Sequence, residues 1–490
     1  MLTFEKTSPE KAGIPTDSIL RFTKRLTEKQ IPMHSLLLAR QDKLCFEGYY
    51  APCKADTLHR MFSVCKSFTA VAVFFLAAEK QLSLDDPIVS YFPEKLPEKV
   101  HPWISSMTIR DMLMMRSCHA ATTYKLDMAS DWVESYFITP PTHPAGTIFH
   151  YDTSAPHTLC ALVEKLTGMD MLDYLKKKLS PLGLSAASYM LKDPFGVSMG
   201  GTGLVALPMD LLKFGFFLLR RGNVCGKQLL PASFLDMAVS ELSATCVTAP
   251  IPGEAQGYGM QFWRGQKNNY LCYGMGGQFI LVFPDCDLIC VTTADTQSVA
   301  GGNQQIYDAL YEEILPCIQD APLPESPESK RLLSRTLDSL KLEALPDAGL
   351  PANARETARM VNGQTFYVQT TPSEFESFSL QFDPEETASG SPAGGSLSFV
   401  CKHQPCRIDF GIGEVRTGSF PLYQLNYAAS GAWLSDGTFT IKAHIIDAYV
   451  GCVQFQLAFR ENSLTVFMRK KEESLFGEFE GHLYCTVGRS

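Results

Sequence analysis

A Ser-x-x-Lys tetrad that opens a long apolar run is the feature that most constrains this chain. Ser63 and Lys66 stand three residues apart, and the run Ala70–Ala78 that follows contains alanine, valine, phenylalanine and leucine without Gly or Pro. Such a run predicts a buried helix that begins near Ser63. Positions i and i+3 share one face of a helix, so we expect the Lys66 amine beside the Ser63 hydroxyl.

This arrangement suits covalent catalysis. A serine hydroxyl is a weak nucleophile until a neighbouring base takes its proton. Burial and the positive end of a helix dipole both disfavour an ammonium group, so they favour a neutral Lys66 that can act as that base. The same helix end offers the backbone N–H of Ser63 to a developing oxyanion.

The tetrad alone is weak evidence. At average residue frequencies such a tetrad arises about twice by chance in a chain of this length. Ser8-Pro-Glu-Lys11 is a second instance, and its proline indicates a turn or a helix start. An N-capping Ser63 with a solvated Lys66 is therefore the alternative interpretation that other motifs must exclude.

Composition predicts a globular protein with more than one domain. The chain has 490 residues, of which 45% are apolar and 19% charged. The net charge is −9 and no basic run stands out, so nothing indicates a nucleic-acid partner. The longest apolar runs, of roughly ten residues, are too short to span a bilayer.

The fifteen cysteines are interpreted as reduced thiols of a cytoplasmic protein. Their number is odd, they show no tight repeat, and the first residues lack the basic start and apolar core of an export signal. Zinc is disfavoured because the chain has no Cys-x-x-Cys or His-Glu-x-x-His spacing. We therefore expect no metal and no cofactor.

Periodicity predicts an α+β domain over residues 1–320. Strands are expected at Ser35–Ala39 and Leu44–Tyr49, and helical patterns dominate from Ser63 to about Val239. Further segments are predicted as follows: strands at Tyr258–Trp263, Asn269–Tyr273, Gln278–Phe283 and Leu288–Thr293, and a closing helix at Gln304–Ile318. Strands at both ends and helices between them indicate an antiparallel sheet flanked by helices, with an α-helical lobe.

The last third of the chain differs in character. Residues 321–355 are rich in Pro, Ser, Asp and Glu and are predicted to form a linker with one short helix near Lys330–Leu342. Residues 356–490 contain seven predicted short strands separated by turn residues, which indicates an all-β domain, sheet or barrel. Accessory, substrate-shaping and oligomer-forming roles are all open for this domain.

Further motifs follow the tetrad in a fixed order. Pro144-Ala-Gly-Thr-Ile-Phe-His-Tyr-Asp-Thr-Ser154 lies downstream, and Tyr273-Gly-Met-Gly-Gly-Gln278 lies on the turn into a strand. Leu82-Ser-Leu-Asp-Asp-Pro87 and Gly257-Tyr-Gly-Met-Gln-Phe-Trp263 accompany them. Together they resemble the serine β-lactamase and penicillin-binding-protein superfamily, in particular its class C-like esterase, amidase and peptidase branch, over roughly residues 8 to 320.

The resemblance implies roles for individual residues. Ser63 matches the acylated nucleophile, Lys66 the lysine that activates it, and Tyr151 the tyrosine that shuttles protons. The backbone N–H groups of Ser63 and Gln278 match the oxyanion hole. The following residues match positions at which relatives contact substrate or line the rim of the site: Thr153, Met275, Gly276, Gly277 and His119. For His119, a structural role is the alternative.

Two departures from the family pattern bear on substrate. Thr153 stands where the tyrosine motif usually has Asn, and a threonine hydroxyl reaches less far. Met275 stands where the third motif usually has Lys or His, and a neutral thioether does not hold a carboxylate as a cation does. These differences predict weak β-lactam turnover and a small ester or amide substrate.

The sequence leaves three functions open and disfavours a fourth. The first is a serine hydrolase that forms an acyl-enzyme on Ser63 and acts on a small-molecule ester, amide or peptide. The second is a β-lactamase, D-alanyl carboxypeptidase or aminopeptidase. The third is a binding or sensor protein that retained the fold and lost turnover. A thiol enzyme using Cys65 or Cys272 is disfavoured because neither has an evident partner base. The oligomeric state is left open.

Overall fold

The structure is a computed structural model that describes residues 1–346, 354–384, 393–472 and 474–488. The chain forms two units. The first contains Met1–Tyr49, Ala55–Thr296 and Gly301–Leu340, and the second contains Tyr50–Lys54, Gln297–Ala300 and Lys341–Ser490. Among the described residues, no helix is both long and apolar enough to cross a membrane.

The first unit combines helices with a large sheet. Its helices are α1 Thr16–Glu28, α2 Val64–Ala78, α3 Pro102–Ser105, α4 Ile109–Leu113, α5 Trp132–Ile138, α6 Ser154–Thr167, α7 Met171–Lys178, α8 Pro208–Leu219, α9 Ala232–Ala238, α10 Gly302–Ala309 and α11 Pro327–Ser339. Its strands are β1 Glu5–Lys6, β2 Met33–Arg40, β3 Lys43–Tyr49, β4 His59–Arg60, β5 Tyr189–Met190, β6 Leu204–Ala206, β7 Asn223–Val224, β8 Lys227–Gln228, β9 Trp263–Arg264, β10 Tyr270–Gly274, β11 Gln278–Phe283 and β12 Leu288–Ala294.

The main sheet has the strand order β1-β3-β2-β12-β11-β10-β9. All its pairings are antiparallel except that of β1 with β3. Helix α8 packs closely on this sheet because Gly215 has no side chain. A Cβ at this position would lie 2.7 Å from Cγ2 of Ile289 and 2.8 Å from Cγ2 of Ile280.

Helix α2 forms the centre of the first unit. Every residue from Val64 to Leu76 is buried. The ring of Phe68 stacks on that of Phe214 in α8, with centroids 3.7 Å apart. The apolar run of the sequence is therefore buried on all sides, as a helix without a polar face must be.

A short sheet of order β4-β6-β5 leads the chain into α2. In it His59 pairs with Ala206 and Arg60 with Val205, and the Met61 N–H donates to the Leu204 carbonyl at 2.7 Å. Phe62 then adopts φ 44°, a value that bulky side chains rarely take. This sharp turn places Ser63 directly before the helix.

The second unit contains a β-barrel. Its elements are α12 Ala354–Val361, β13 Thr365–Val368, β14 Phe375–Phe382, β15 Gly394–Cys401, β16 Gln404–Gly411, β17 Arg416–Phe420, β18 Leu425–Trp433, β19 Phe439–Ile446, β20 Val450–Arg460, β21 Ser463–Lys471 and β22 Gly481–Thr486. The order is β16-β15-β14-β13-β22-β21-β20-β19-β18-β17, and β16 also pairs with β18 at Gly411 and Ser430. That pairing closes a nine-stranded barrel.

The predicted fold class is confirmed, with local differences. The predicted strand Tyr258–Trp263 is wrong, because Gln261 has φ 66°, Tyr258 makes only isolated bridges to Ser243 and Trp263, and the strand itself comprises Trp263–Arg264. The predicted helix Gln304–Ile318 begins as α10, continues as a π-helical turn at Leu310–Ile314 and ends at Leu315–Cys317, where Pro316 has no N–H to donate.

The sequence-based interpretation also missed three strands of the barrel, β17, β18 and β22. Strand β18 contains Ala428-Ala-Ser-Gly-Ala432, which are poor strand formers on their own. Its pairing with β19 over Tyr427–Trp433 supplies the stabilisation that local sequence lacks. The predicted boundaries at 320 and 355 stay a prediction, and residues 347–353 of the predicted linker lie outside the described residues.

Replacing Phe68 by alanine tests how far α2 supports the first unit. Phe68 is 1% exposed, so the variant should lose about 3–5 kcal/mol of unfolding free energy through lost burial and a new cavity. Phe195→Ala is the matched control because Phe195 is 59% exposed, and it should change the value by less than about 0.5 kcal/mol. Chemical denaturation measures both, and equal effects would contradict the central role of α2.

Candidate active site

The side chains of Ser63 and Lys66 contact each other at the start of α2. Lys66 is 1% exposed, and its Nζ lies 2.8 Å from Ser63 Oγ and 2.8 Å from the carbonyl oxygen of Gly201, to which it donates. The amine is thus held away from bulk water against two oxygens. Ser63 itself is partly exposed.

Tyr151 lies beside this pair. The Lys66 Nζ is 4.8 Å from the centre of the Tyr151 ring. Desolvation raises the pKa of the Tyr151 hydroxyl well above its usual value, and hydrogen bonding to Ser63 and to Trp263 opposes that rise. The structure therefore brings together the serine, the lysine and the tyrosine that the sequence singled out.

Two glycines let the segment before β6 approach the site. A Cβ at Gly201 would lie 2.5 Å from Thr153 Cγ2, and one at Gly200 would lie 2.2 Å from Cys160 Cβ. The Gly200 carbonyl accepts a hydrogen bond from Thr69 Oγ1 at 2.8 Å. Close backbone contact thus holds the Gly201 carbonyl where Lys66 binds it, with Thr153 next to it.

Asp152 is a fully buried carboxyl group between Tyr151 and Thr153. Its Oδ1 accepts from Ser154 N at 2.8 Å and Ser154 Oγ at 2.7 Å, and its Oδ2 accepts from Ser117 Oγ at 3.2 Å. Burial raises its pKa to about 6, although these hydrogen bonds act in the opposite direction. These hydrogen bonds of Asp152 fix the backbone where α6 begins.

The turn Met275–Gly277 between β10 and β11 also reaches the start of α2. A Cβ at Gly274 would lie 2.3 Å from the Met61 carbonyl oxygen and 3.2 Å from Val64 Cγ2, so the end of β10 packs directly on both sides of Ser63. This contact requires glycine. The turn that contains Met275, Gly276 and Gly277 therefore begins at a residue that packs beside the serine.

The backbone of the same turn is fixed on its far side. Gly276 and Gly277 have φ 82° and 89°, values that favour glycine. Their carbonyl oxygens accept from Thr296 N at 3.0 Å and Thr292 Oγ1 at 2.8 Å. The Gln278 side chain is buried and donates through Nε2 to the Ala294 carbonyl at 2.5 Å, so only its backbone is available to the site.

His119 differs from the other predicted site residues. It is 2% exposed, and its Nε2 lies 2.9 Å from the carbonyl oxygen of Tyr136. Burial lowers its pKa to about 4, so the ring is neutral at physiological pH. This geometry favours the structural alternative that the sequence left open.

Sequence reasoning assigned no role to two aromatic residues that extend the site. The Trp263 ring lies 5.5 Å from that of Tyr151 and 5.8 Å from that of Tyr273, so the three form a continuous aromatic wall. Trp263 belongs to one of the motifs on which the family resemblance rests. The motif alone does not indicate which of its aromatic rings lies beside Tyr151. That information comes from the fold.

His34 and His59 are two buried histidines of the first unit whose rings contact each other. Their ring nitrogens Nδ1 and Nε2 lie 3.1 Å apart and both side chains are buried. This distance suits one hydrogen bond between the rings, and it also suits two ligands of one metal ion. The expectation of metal-free chemistry concerns Ser63, Lys66 and Tyr151, and it stays a prediction.

An antiparallel sheet with a helical lobe, and a serine and lysine at the start of a buried helix, define the β-lactamase-like class of fold. A family model described as Beta-lactamase matches residues 20–313, more than half of the chain. The chain belongs to this family, whose members are mostly hydrolases.

Solved structures share this fold at low sequence identity. A Bacillus anthracis protein assigned by name to the 6-aminohexanoate-dimer hydrolases is 19% identical, with a TM-score of 0.52, 63% of this chain covered and 86% of that one. A Bacteroides dorei protein assigned by name to the β-lactamases is 17% identical, with a TM-score of 0.50 and coverages of 61% and 97%.

A third structure covers nearly the whole chain. It is an octameric penicillin-binding protein homologue from Pyrococcus abyssi, 16% identical, with a TM-score of 0.47 and coverages of 96% and 99%. Comparison with curated proteins gave no significant match.

Replacing Asp152 by asparagine should change how stability depends on pH. The carboxyl pKa is about 6 in the folded chain and 3.8 in the reference state, so folding favours the protonated form. The unfolding free energy that protonated Asp152 contributes in the wild type is complete below about pH 4. It falls as the pH rises and is lost above about pH 6. Relative to wild type, Asp152→Asn should therefore gain up to about 3 kcal/mol of unfolding free energy between pH 4 and pH 7.5.

Chemical denaturation at both pH values measures this shift. Asp56→Asn is the control because Asp56 is exposed, and its difference from wild type should be the same at both pH values. A difference between Asp152→Asn and wild type that does not vary with pH would show that this carboxyl is not shifted.

Proposed function

We propose that this protein is a serine hydrolase that forms an acyl-enzyme on Ser63. The observation that carries the proposal is the 2.8 Å separation between Ser63 Oγ and the Nζ of a buried Lys66. The same separation suits a hydrogen bond from the serine hydroxyl to a neutral amine, which is the direction that activation requires. Loss of hydration inside the protein favours that neutral form.

Acylation then follows from the groups at hand. Ser63 Oγ attacks the carbonyl carbon of the substrate and transfers its proton to Lys66 Nζ. As the tetrahedral intermediate collapses, the bond to the leaving group breaks, and the leaving group takes a proton that passes from Lys66 by way of the Tyr151 hydroxyl. Water then hydrolyses the acyl ester on Ser63, with the same two side chains handling its proton.

We propose that the N–H groups of Ser63 and Gln278 bind the oxyanion. Support comes from Gly274, whose lack of a side chain lets the end of β10 pack on Met61 and Val64, the residues on either side of the Phe62–Ser63 turn. Strand β11 begins at Gln278, paired with Gly274. Donors fixed in this way need no reorganisation as charge develops on the substrate oxygen.

The proposed substrate is a small ester, amide or peptide. Thr153, Met275, Gly276 and Gly277 are proposed to line its binding site. His119 is proposed to act indirectly, because its hydrogen bond fixes the carbonyl of Tyr136. None of the substrate-lining side chains offers a cation for a carboxylate, which favours neutral acyl groups or acyl groups with other polar substituents.

The catalytic function is proposed for residues 1–320, with residues 356–490 as an accessory domain. Ser63, Lys66, Tyr151 and Gln278 all belong to the first unit. A cytoplasmic location and reduced thiols complete the proposal. None of the fifteen cysteines, all of which the structure describes, forms a disulfide.

The acyl-enzyme predicts a mass increase on one serine. Reaction with a fluorophosphonate or a p-nitrophenyl ester should add one phosphonyl or acyl group to the wild-type protein and none to Ser63→Ala. Steady-state ester turnover should fall at least about 10³-fold in Ser63→Ala, and by about 10²–10⁴-fold in Tyr151→Phe through loss of proton transfer. Intact-mass spectrometry and p-nitrophenol absorbance are the measurements.

Ser8→Ala is the matched control, since Ser8 begins the other Ser-x-x-Lys tetrad. It should form the adduct and turn over ester as the wild type does. Adduct formation in Ser63→Ala would reject the proposal. Absence of both adduct and turnover in the wild type would favour the binding or sensor function instead.

Weak β-lactam turnover is the second expectation, because Met275 offers no charge to the carboxylate of a cephalosporin. Met275→Lys should raise kcat/KM for nitrocefin about tenfold, equivalent to about 1.4 kcal/mol, whereas Met275→Leu should not. Nitrocefin absorbance measures both. A wild-type kcat/KM within about tenfold of a dedicated β-lactamase would overturn this expectation and support the lactamase alternative.

A further inference from the structure

Glu254 is a buried acidic residue near the proposed site that the mechanism does not use. It ends the short 3₁₀ turn Pro252–Glu254 and is 2% exposed. Its Oε1 is buried and accepts no hydrogen bond from any residue that the structure describes. Burying a carboxylate oxygen without a partner costs free energy, so this position needs an explanation.

The segment around Glu254 is closely packed, and the groups that interact with its carboxyl group are uncharged. A Cβ at the preceding Gly253 would lie 2.4 Å from the Tyr307 ring, so the turn packs directly on α10. The carboxyl group interacts with the Tyr273 hydroxyl and the Asn303 amide. Asn303 Nδ2 also donates to the Tyr273 hydroxyl at 3.1 Å, and its Oδ1 accepts from Thr296 at 2.7 Å. These contacts hold the carboxyl group in place without neutralising it.

Glu254 is also connected to the reacting groups. Its charge adds to the desolvation that raises the pKa of Tyr151, which places the carboxyl group within electrostatic reach of that hydroxyl. The aromatic wall links Tyr151, which interacts with Ser63, through Trp263 to Tyr273, which interacts with the Glu254 carboxyl group. An acyl group on Ser63 that follows these three rings would extend toward Glu254.

We infer that Glu254 is a specificity-determining residue that binds a positively charged amine at the far end of the acyl group. The inference rests on the proposed acyl-enzyme at Ser63. It narrows the substrate class to esters or amides of amino acids with a free amine. An ammonium group there would pair with the buried carboxylate and donate to Oε1, which supplies the missing partner.

Matched esters test this inference. Ethyl esters of alanine, 4-aminobutyrate and 6-aminohexanoate are compared with ethyl propionate, butyrate and hexanoate, so each pair differs only by the amine. At pH 8 the wild type should prefer the amine-bearing member at one or more chain lengths by at least tenfold in kcat/KM. Glu254→Gln keeps the shape of the side chain and should reduce that preference about tenfold.

The preference should also depend on pH. Burial raises the pKa of Glu254 to about 7, so the carboxyl group gains its charge between pH 6 and pH 8. The titratable groups facing it, Tyr151, Tyr273 and Tyr307, all have pKa values raised by desolvation and stay neutral there. A primary amine on a long chain stays protonated over the same range. The preference for the 6-aminohexanoate ester should therefore rise with pH in the wild type and not in Glu254→Gln.

The control is Glu98→Gln, which removes the same charge from an exposed position and should leave the preference unchanged. The inference is overturned if no chain length shows a preference, or if Glu254→Gln slows both members of each pair equally. Intact-mass spectrometry separates this from failure of the proposed function. Acylation of Ser63 by the amine-free esters without any amine preference rejects only the role of Glu254, whereas absence of any acylation rejects the hydrolase itself.

Discussion

The contact on which the site depends is the one between Lys66 Nζ and two oxygens, Ser63 Oγ and the Gly201 carbonyl oxygen, each at 2.8 Å. A lysine on the surface would be hydrated and protonated, and it would not take a proton from serine. Burial of the amine requires α2 to be apolar on every face, which explains why its sequence has no polar side to face solvent. The proposed catalytic pair and the hydrophobic core of the first unit therefore depend on the same helix.

The site also requires backbone segments to approach each other closely, and glycine permits this approach. The Gly201 carbonyl and the end of β10 at Gly274 both lie where any side chain would collide with a neighbouring segment. One glycine positions the acceptor of Lys66 and the other positions the strand that precedes Gln278. Three segments distant in sequence thus meet at Ser63 because two of them present bare backbone there.

The local patterns that the sequence contains were enough to predict α2, the antiparallel sheet and the grouping of Ser63 with Lys66. They were not enough where tertiary contacts override local preference. Residues 258–262 alternate like a strand but turn at Gln261, whose amide donates to the carbonyls of Met112 and Leu113. Strand β18 has weak strand propensity and depends on its neighbours. Nothing in the sequence indicated Glu254, because the role proposed for it depends on residues 273 and 303, which are distant in sequence.

Two buried carboxyl groups near Tyr151 show how environment assigns different roles to the same chemistry. Burial raises the pKa of both, to about 6 for Asp152 and about 7 for Glu254. Both carboxyl oxygens of Asp152 accept hydrogen bonds, one from its own segment and one from Ser117. Its need for hydrogen-bond donors is therefore met within the fold. Glu254 keeps one buried oxygen that has no hydrogen-bond partner among the residues that the structure describes. A carboxyl group of the first kind fixes the chain, and one of the second kind is suited to accept a donor from a bound molecule.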